Sequence, residues 1–181
     1  LTDGGMDILT SRLRFRPLTE GDLDDLVALH LDPVVMLGSS GVATPRTRAM
    51  SEEWLRRTLT LSDGDGVGAF RLEERDTGAF VGRCGLRPEE GSGDTEIAYA
   101  LVRRAWGQGL ATEAATAVVR YGFDAGLTRI VACALAENVA SLRVLEKVGM
   151  RRVREETTSV GWLVRFEMNR ADLLTDNGRR H

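Results

Sequence analysis

Two stretches of the chain combine residue types and spacings that point to chemistry. The first is Arg103-Arg104-Ala105-Trp106-Gly107-Gln108-Gly109-Leu110-Ala111-Thr112-Glu113-Ala114, between a strand-like run and a helix-like run. Gly107 and Gly109 remove side chains where a backbone must come near something. The N–H groups of a first helical turn have no internal partners. With the helix dipole they make an anion site suited to a pyrophosphate. A glycine-rich turn that only joins two elements has the same local signature. The GxxxxGK[ST] pattern of a P-loop is absent. So is a GxGxxG after a first strand with an acid some twenty residues on, so a dinucleotide fold is unsupported. The second stretch runs Asn138-Val139-Ala140-Ser141-Leu142-Arg143-Val144-Leu145-Glu146-Lys147-Val148-Gly149-Met150. Asn138 and Ser141 fall on one face near the start of a helix. An N-cap followed by a solvated first-turn serine fits the same spacing.

Other chemistries find little support. Cys84 and Cys133 are isolated in apolar surroundings, with no CxxC and no Cys/His cluster. No metal site and no disulfide framework is expected, both cysteines are expected in the core, and a reducing cytoplasm is the default. A histidine-based hydrolase would rest on His30, in a helix-like stretch; the only other histidine is His181. The formal charge of -3 gives no broad basic field, so no direct nucleic-acid partner is expected. No apolar run approaches the roughly 18 residues of a membrane span, and Leu1 to Met6 carry no secretory-signal pattern.

The elements that must position these stretches follow from periodicity. Arg12 to Arg16 alternates polar and apolar residues as a strand does, and Pro17 closes it. Thr19 to Asp22 starts a helix carrying Leu23, Leu26, Val27 and His30, with Pro33 as its end. Val34 to Ala43 is expected as a Gly/Ser loop. Thr44-Pro45 is a plausible cap and first turn for a second helix through Met50, Trp54, Leu55 and Leu59. Strands Gly68–Glu74 and Ala79–Leu86 flank a hairpin turn at Arg75 to Gly78, and Glu96–Val102 follows as a third. An Ala-rich helix spans about Gly107 to Ala125. Then come a strand at Arg129–Ala134, a helix at Asn138–Val148, and closing strands at Met150–Glu155 and Trp162–Met168. The order β-α-α-β-β-β-α-β-α-β-β implies a mixed sheet with helices on both faces.

Together the two stretches resemble the GNAT superfamily of acetyl-CoA-dependent N-acetyltransferases, in its branch that includes ribosomal-protein N-terminal (alanine/serine) acetyltransferases. The matching segments are TSRLRFRPLTEGDLDDL, TGAFVGRCGL, EIAYALVRRAWGQGLATEA and ENVASLRVLEKVGMRR, in order and correctly separated. The resemblance covers residues 10 to 170. It implies an α/β (α+β) GNAT fold: a mixed, mostly antiparallel sheet of about six to seven strands, with helices on both faces. One domain is expected over residues 8–170, with 1–7 and 171–181 as flexible ends. A splayed parallel pair of strands binds the cofactor.

By the same resemblance the cosubstrate is acetyl-CoA, without a metal. Backbone groups of Leu101, Val102 and Arg103 hold the pantetheine arm. Trp106, Gly107, Gln108, Gly109, Leu110, Ala111 and Thr112 form the pyrophosphate loop. Trp106 stands where the family usually has Arg or Gln. Arg103 or Arg104 reaches the 3′-phosphate or is simply solvated. Asn138 matches a residue that bonds the cofactor arm, and Ser141 lies one turn on, near where the thiolate emerges. The family's usual general-acid tyrosine falls on Leu145, which cannot donate a proton. Ser141 or a water then protonates the thiolate, or that acid is dispensable. Glu96 is the candidate general base, or a strand-end carboxylate paired with an arginine. Tyr99 lines the cleft or packs.

The implied reaction is direct attack of a primary amine, on a protein N-terminus or a small molecule, upon the thioester. Alternatives are a non-catalytic acyl-CoA-binding or regulatory module, and an antibiotic or polyamine acetyltransferase. The Ala-rich helix and apolar last strands offer surfaces for a homodimer, and no stretch specifies an interface.

Overall fold

The computed structural model describes residues 8–40, 43–61, 67–89 and 91–176. Its strands are β1 (Ile8–Leu9), β2 (Leu13–Pro17), β3 (Gly68–Glu74), β4 (Phe80–Pro88), β5 (Thr95–Leu101), β6 (Arg129–Leu135), β7 (Arg151–Thr158) and β8 (Gly161–Asn169). Its helices are α1 (Leu23–Leu31), α2 (Pro33–Ser40), α3 (Arg48–Leu61), α4 (Leu110–Asp124), α5 (Val139–Val148) and α6 (Arg170–Asp176). Among the described residues the strands form one 8-stranded sheet in the order β1-β2-β3-β4-β5-β6-β8-β7. Every neighbouring pair is antiparallel except β5 and β6. This is the mixed, mostly antiparallel sheet that the resemblance implies, one strand larger than the sequence pattern suggests.

That parallel pair is short. Bridges join Thr95 to Ile130 and Glu96 to Val131, and none joins the residues beyond. The two strands nevertheless run on to Leu101 and Leu135. From Ile97 onward a gap opens in the middle of the sheet.

Each face of the sheet has its own core. On one face α4 lays its buried Ala114, Ala115, Val118 and Val119 against the strands, where small residues let a helix sit close. Leu13, Phe15, Leu72, Cys84, Ile97, Leu145 and Phe166 complete that core. On the other face α1 to α3 cover Leu18, Leu26, Leu29, Val35, Leu55, Phe80 and Ala100. Alternation along each strand assigns side chains to the two cores.

Four local expectations are corrected. Residues 33–40 form a helix, not a loop, because Asp32 caps it: its Oδ1 accepts from Val34 N–H at 3.0 Å, with Pro33 in the first turn. The third helix starts at Arg48, after Thr47, whose Oγ1 accepts from Met50 N–H at 3.2 Å. The Ala-rich helix starts at Leu110 rather than Gly107, because Gly107 and Gly109 hold φ of 74° and 77°. Cys84 is in the core, but Cys133 is only half-buried and lines the central gap.

At the chain ends, Ile8–Leu9 pairs as a short edge strand. Residues 170–176 are helical, with Asp172 accepting from Asn169 N–H at 2.9 Å. The remainder of the expected flexible ends, 1–7 and 177–181, lies outside the described residues, as do 62–66 of the expected turn. No helix among the described residues is long and apolar enough to cross a membrane.

Candidate functional site

The loop between β5 and α4 is shaped to present backbone amides. After Leu101 the chain makes one tight turn at Arg103–Ala105 and reaches Gly109, the N-cap of α4. Glu113 N–H is the first to bond back, onto Gly109 O at 3.1 Å. The amides of Leu110, Ala111 and Thr112 therefore have no partner within the helix. A Cβ at Gly107 would point into open space, so what this position requires is its positive φ rather than room.

Side chains fix this loop from behind. Trp106 Nε1 donates to Leu101 O at 2.8 Å, and Gln108 Nε2 donates to Arg104 O at 2.7 Å. The loop is also tied to the start of β2. Arg12 Nη1 donates to Gln108 O at 2.7 Å, and Arg12 Nη2 meets Glu113 Oε2 at 2.7 Å. Glu113 in turn accepts from the hydroxyls of Thr10 and Ser11 at 2.6 and 3.0 Å. The sequence reading missed Arg12 and Glu113. Their one early signal was an acid in the first turn of α4, and only the fold brings Arg12 to it.

Arg103 and Arg104 are engaged elsewhere. Arg103 Nε donates to Asp32 Oδ2 at 2.6 Å, and Arg104 Nη2 donates to Phe80 O. A phosphate contact from either must share or break those bonds. Val102 N–H is spent on Val81 O at 2.9 Å, on the β4 side. Strand alternation then turns the groups of Leu101 to the opposite edge, toward the gap, where its carbonyl already accepts from Trp106.

The gap between β5 and β6 is the mouth of a cleft lined by Gly38, Ser39, Arg87, Glu96, Tyr99, Cys133, Ser141 and Leu145 among others. Here the structure brings together Glu96 and Ser141, which are far apart in the chain. Glu96 Oε2 accepts from Arg87 Nε and Nη2 at 2.9 and 2.6 Å. Both bonds fall on Oε2, and Oε1 takes neither. Ser141 Oγ lies 2.7 Å from the Tyr99 hydroxyl. Burial pushes the Tyr99 phenol up to about 12, so it stays protonated at neutral pH. Leu145, buried beside this pair, adds no polar group.

Asn138 is both a cap and a tether. Its Oδ1 accepts from Ser141 N–H at 3.1 Å, and its Nδ2 donates to Gly38 O at 3.1 Å. It therefore links the start of α5 to α2 across the cleft. Burial also raises the Cys133 thiol above its usual range, and the nearby Glu96 carboxylate adds to this. That thiol is a poor nucleophile at neutral pH.

His30 is fully buried on the α1–α3 side, with Nδ1 at 3.0 Å from Ser51 Oγ and its ring edge-on to Trp54. Burial, with Arg83 and Arg46 nearby, lowers it to about 3, so it is neutral. It lies outside the lining of the cleft. Among the described residues no group of three or more His, Cys, Asp or Glu side chains is placed to hold a metal ion.

Comparison with known proteins agrees with this geometry. Residues 12–151 match the family model described as an acetyltransferase (GNAT) domain. The chain is 37% identical over 147 residues to the uncharacterised protein YkkB of Bacillus subtilis, covering 79% of this chain and 84% of YkkB. A GNAT-family acetyltransferase from Bacillus anthracis superposes with a TM-score of 0.78 at 24% identity, covering 92% of this chain and 99% of that one. Spermidine N-acetyltransferase from Vibrio cholerae, in complex with CoA and spermine, superposes with a TM-score of 0.77 at 18% identity, covering 91% and 99%. At these identities the two structures are a likeness of fold.

Proposed function

This chain belongs to the GNAT superfamily and is an N-acetyltransferase that uses acetyl-CoA, and from that premise we propose direct acetyl transfer to the primary amine of a protein N-terminus or a small molecule. One observation carries the reading. The β5–β6 gap runs along the strand that leads into the loop carrying the free amides of α4, and Glu96, Tyr99 and Ser141 line the cleft at that gap.

In this reading the amides of Leu110, Ala111 and Thr112 receive the pyrophosphate, at a helix N-terminus that favours negative charge. The pantetheine arm lies along β5 and takes the strand edge that β6 leaves unpaired. An amine is protonated at neutral pH and must lose a proton before it attacks. Glu96 takes that proton, directly or through one water. The amine nitrogen then bonds to the thioester carbonyl carbon, and a β5 backbone N–H near Leu101 polarises the carbonyl oxygen. As the tetrahedral centre collapses, the C–S bond breaks. The thiolate takes a proton from Ser141, Tyr99 replenishes it through their 2.7 Å contact, and the second proton shed by the amine nitrogen returns to Tyr99 through water. This pair supplies the hydroxyl that Leu145 lacks. No covalent enzyme intermediate forms, and much of the acceleration comes from holding amine and thioester together.

The two free thiols and the use of acetyl-CoA support a reducing, cytoplasmic setting. The N-terminal acetyltransferase branch and the polyamine class remain rival acceptor readings, and the Vibrio cholerae enzyme binds spermine in its own complex. The test is thiol release from acetyl-CoA against a panel of peptides with free N-termini and of small amines, with products identified by mass spectrometry. An N-acetylated product that disappears with Glu96→Gln supports the reading. Absence of transfer to every amine on the panel sinks it.

A further inference from the structure

Two arginines face each other across β3 and β4 in different electrostatic company. Arg71 and Arg83 are cross-strand partners, and each is 8% exposed. Each guanidinium also stacks on an aromatic ring, Arg71 on Phe80 at 4.6 Å and Arg83 on Trp54 at 4.4 Å. Arg71 is neutralised three times over, by Asp22, Asp25 and Glu73 at 3.2, 2.6 and 2.8 Å. Arg83 has no carboxylate in ion-pair range among the described residues, and its buried Nε has no hydrogen-bond partner. A buried cation without a counter-charge is strongly disfavoured.

The surroundings make this worse rather than better. Burial, followed by the charges of Arg46 and Arg87, lowers Arg83 to about 9. Arg46 is itself only partly exposed and has no ion pair among the described residues. Two further polar atoms on this side are buried without partners, His30 Nε2 and Ser39 Oγ. When the Ser51 hydroxyl donates to His30 Nδ1, Nε2 carries the proton and is an unused donor.

This unpaired positive charge shares a face with Glu96. Along β4 the side chains of Arg83, Gly85 and Arg87 alternate onto one side, opposite Ala100, Ala98 and Glu96 of β5. Arg83 lies four residues from Arg87, the partner of Glu96, or roughly 13 Å along the strand. Between them lie the small residues Gly85, Ala98 and Ala100: Ala98 lines the cleft, Gly85 packs against Ala69, and Ala100 is buried under α1 to α3.

We propose that the acceptor amine carries an anionic group, a carboxylate or phosphate, and that Arg83 and Arg46 bind it on the α1–α3 side while the amine lies at Glu96. For the amine end this rests on the acetyl-transfer reading. The planar guanidinium fork matches either anion in a two-point bond. A ligand reaching from Glu96 to Arg83 has the length of roughly three to four extended peptide residues, so it is a short peptide acid, or a long-chain amino acid or amino-phosphate of that reach. Polyamines and other polycations are repelled at the same place.

The experiment measures binding to the CoA-loaded protein, where no acetyl group is present to transfer. Calorimetry compares matched pairs long enough for the span: Ala-Ala-Ala with its C-terminal amide, 8-aminooctanoic acid with its amide, and 8-aminooctyl phosphate with 8-aminooctanol. The peptide and amino-acid pairs read the carboxylate source, and the last pair reads phosphate. The anionic member of at least one pair is expected to bind at least tenfold more tightly. Arg83→Met should cut that preference below about threefold, and Arg83→Lys should leave an intermediate value. If Arg83→Met does not fold, Arg46→Met is read in its place with the same expectation. Equal binding in every pair, or a preference untouched by these variants, overturns the proposal. A parallel assay with acetyl-CoA separates the two readings. Arginine-dependent anion binding with no acetylated product keeps this proposal and sinks acetyl transfer. Equal acetylation of acids, amides and spermidine sinks this proposal and keeps acetyl transfer.

Discussion

In the proposed reading, the groups that meet a ligand on the α4 face of the sheet are the backbone amides of Leu110, Ala111 and Thr112. On the α1–α3 face they are side chains, Arg83 and Arg46 foremost. The amides are exposed by chain geometry alone, so two glycines at the right spacing announce them. The arginines matter only because acids surround Arg71 and none surrounds Arg83, and two of those acids, Asp22 and Asp25, come from a segment far away in sequence. A backbone site is therefore written locally, and a side-chain site is written in what is missing nearby.

The largest expected effect lies between the faces. Glu96→Gln should cut turnover by about 10²–10⁴-fold, as for a lost general base, with acetyl-CoA affinity unchanged. The loss should shrink as pH rises, because more acceptor amine is then already neutral. A kcat–pH profile within threefold of wild type would remove Glu96 from the mechanism.

The two buried arginines should respond in opposite ways. Arg71→Met strands Asp25 and part of the Asp22–Glu73 cluster, and should cost roughly 3 kcal/mol, or about 6–12 °C in Tm. Arg83→Met removes an unpaired charge and should hold or raise Tm. Equal losses in thermal unfolding would erase the contrast between them.

On the α4 face, Gly109→Val forces a β-branched residue to a φ of 77°. Strain of about 1–3 kcal/mol should weaken acetyl-CoA binding by roughly 10- to 100-fold. Unchanged affinity in a folded variant would show that the loop does not hold the pyrophosphate. Ser141→Ala and Tyr99→Phe should each lower kcat by less than about tenfold, because a thiolate can leave before it is protonated. Strictly additive losses in the double variant would argue against a shared relay.

The smallest effect is on pH stability. His30 is lowered in the folded state, from 6.5 to about 3. Unfolded chains then bind the extra proton, so stability from this group is present above pH 6.5 and lost as pH falls toward 3. Between pH 7 and 6 the loss should be roughly 1 kcal/mol or less, read from urea midpoints against His30→Asn.

Much of the fold was legible because its strands alternate and its helices carry caps. The hairpin of β3 and β4 and the helix α5 follow from local pattern. The helix at 33–40 did not, because Gly38, Ser39 and Ser40 favour loops and only the Asp32-Pro33 start argues otherwise. Nor did β1, since two residues carry no period. The glycine loop and the pairing of Asn138 with Ser141 were readable from spacing. The contact of Tyr99 with Ser141, the clamp of Arg12 on Glu113 and the isolation of Arg83 were not. Each joins segments that only the completed sheet brings together.

Asn138 gives the cleft one further property. A single amide side chain joins the carbonyl of Gly38, in α2, to the amide of Ser141, in α5. Whatever seats under α2 and shifts it must strain or release the helix that carries Ser141. With the acceptor and cofactor seated as proposed, the two are coupled through this side chain, and by reciprocity each changes the other's affinity by the same factor.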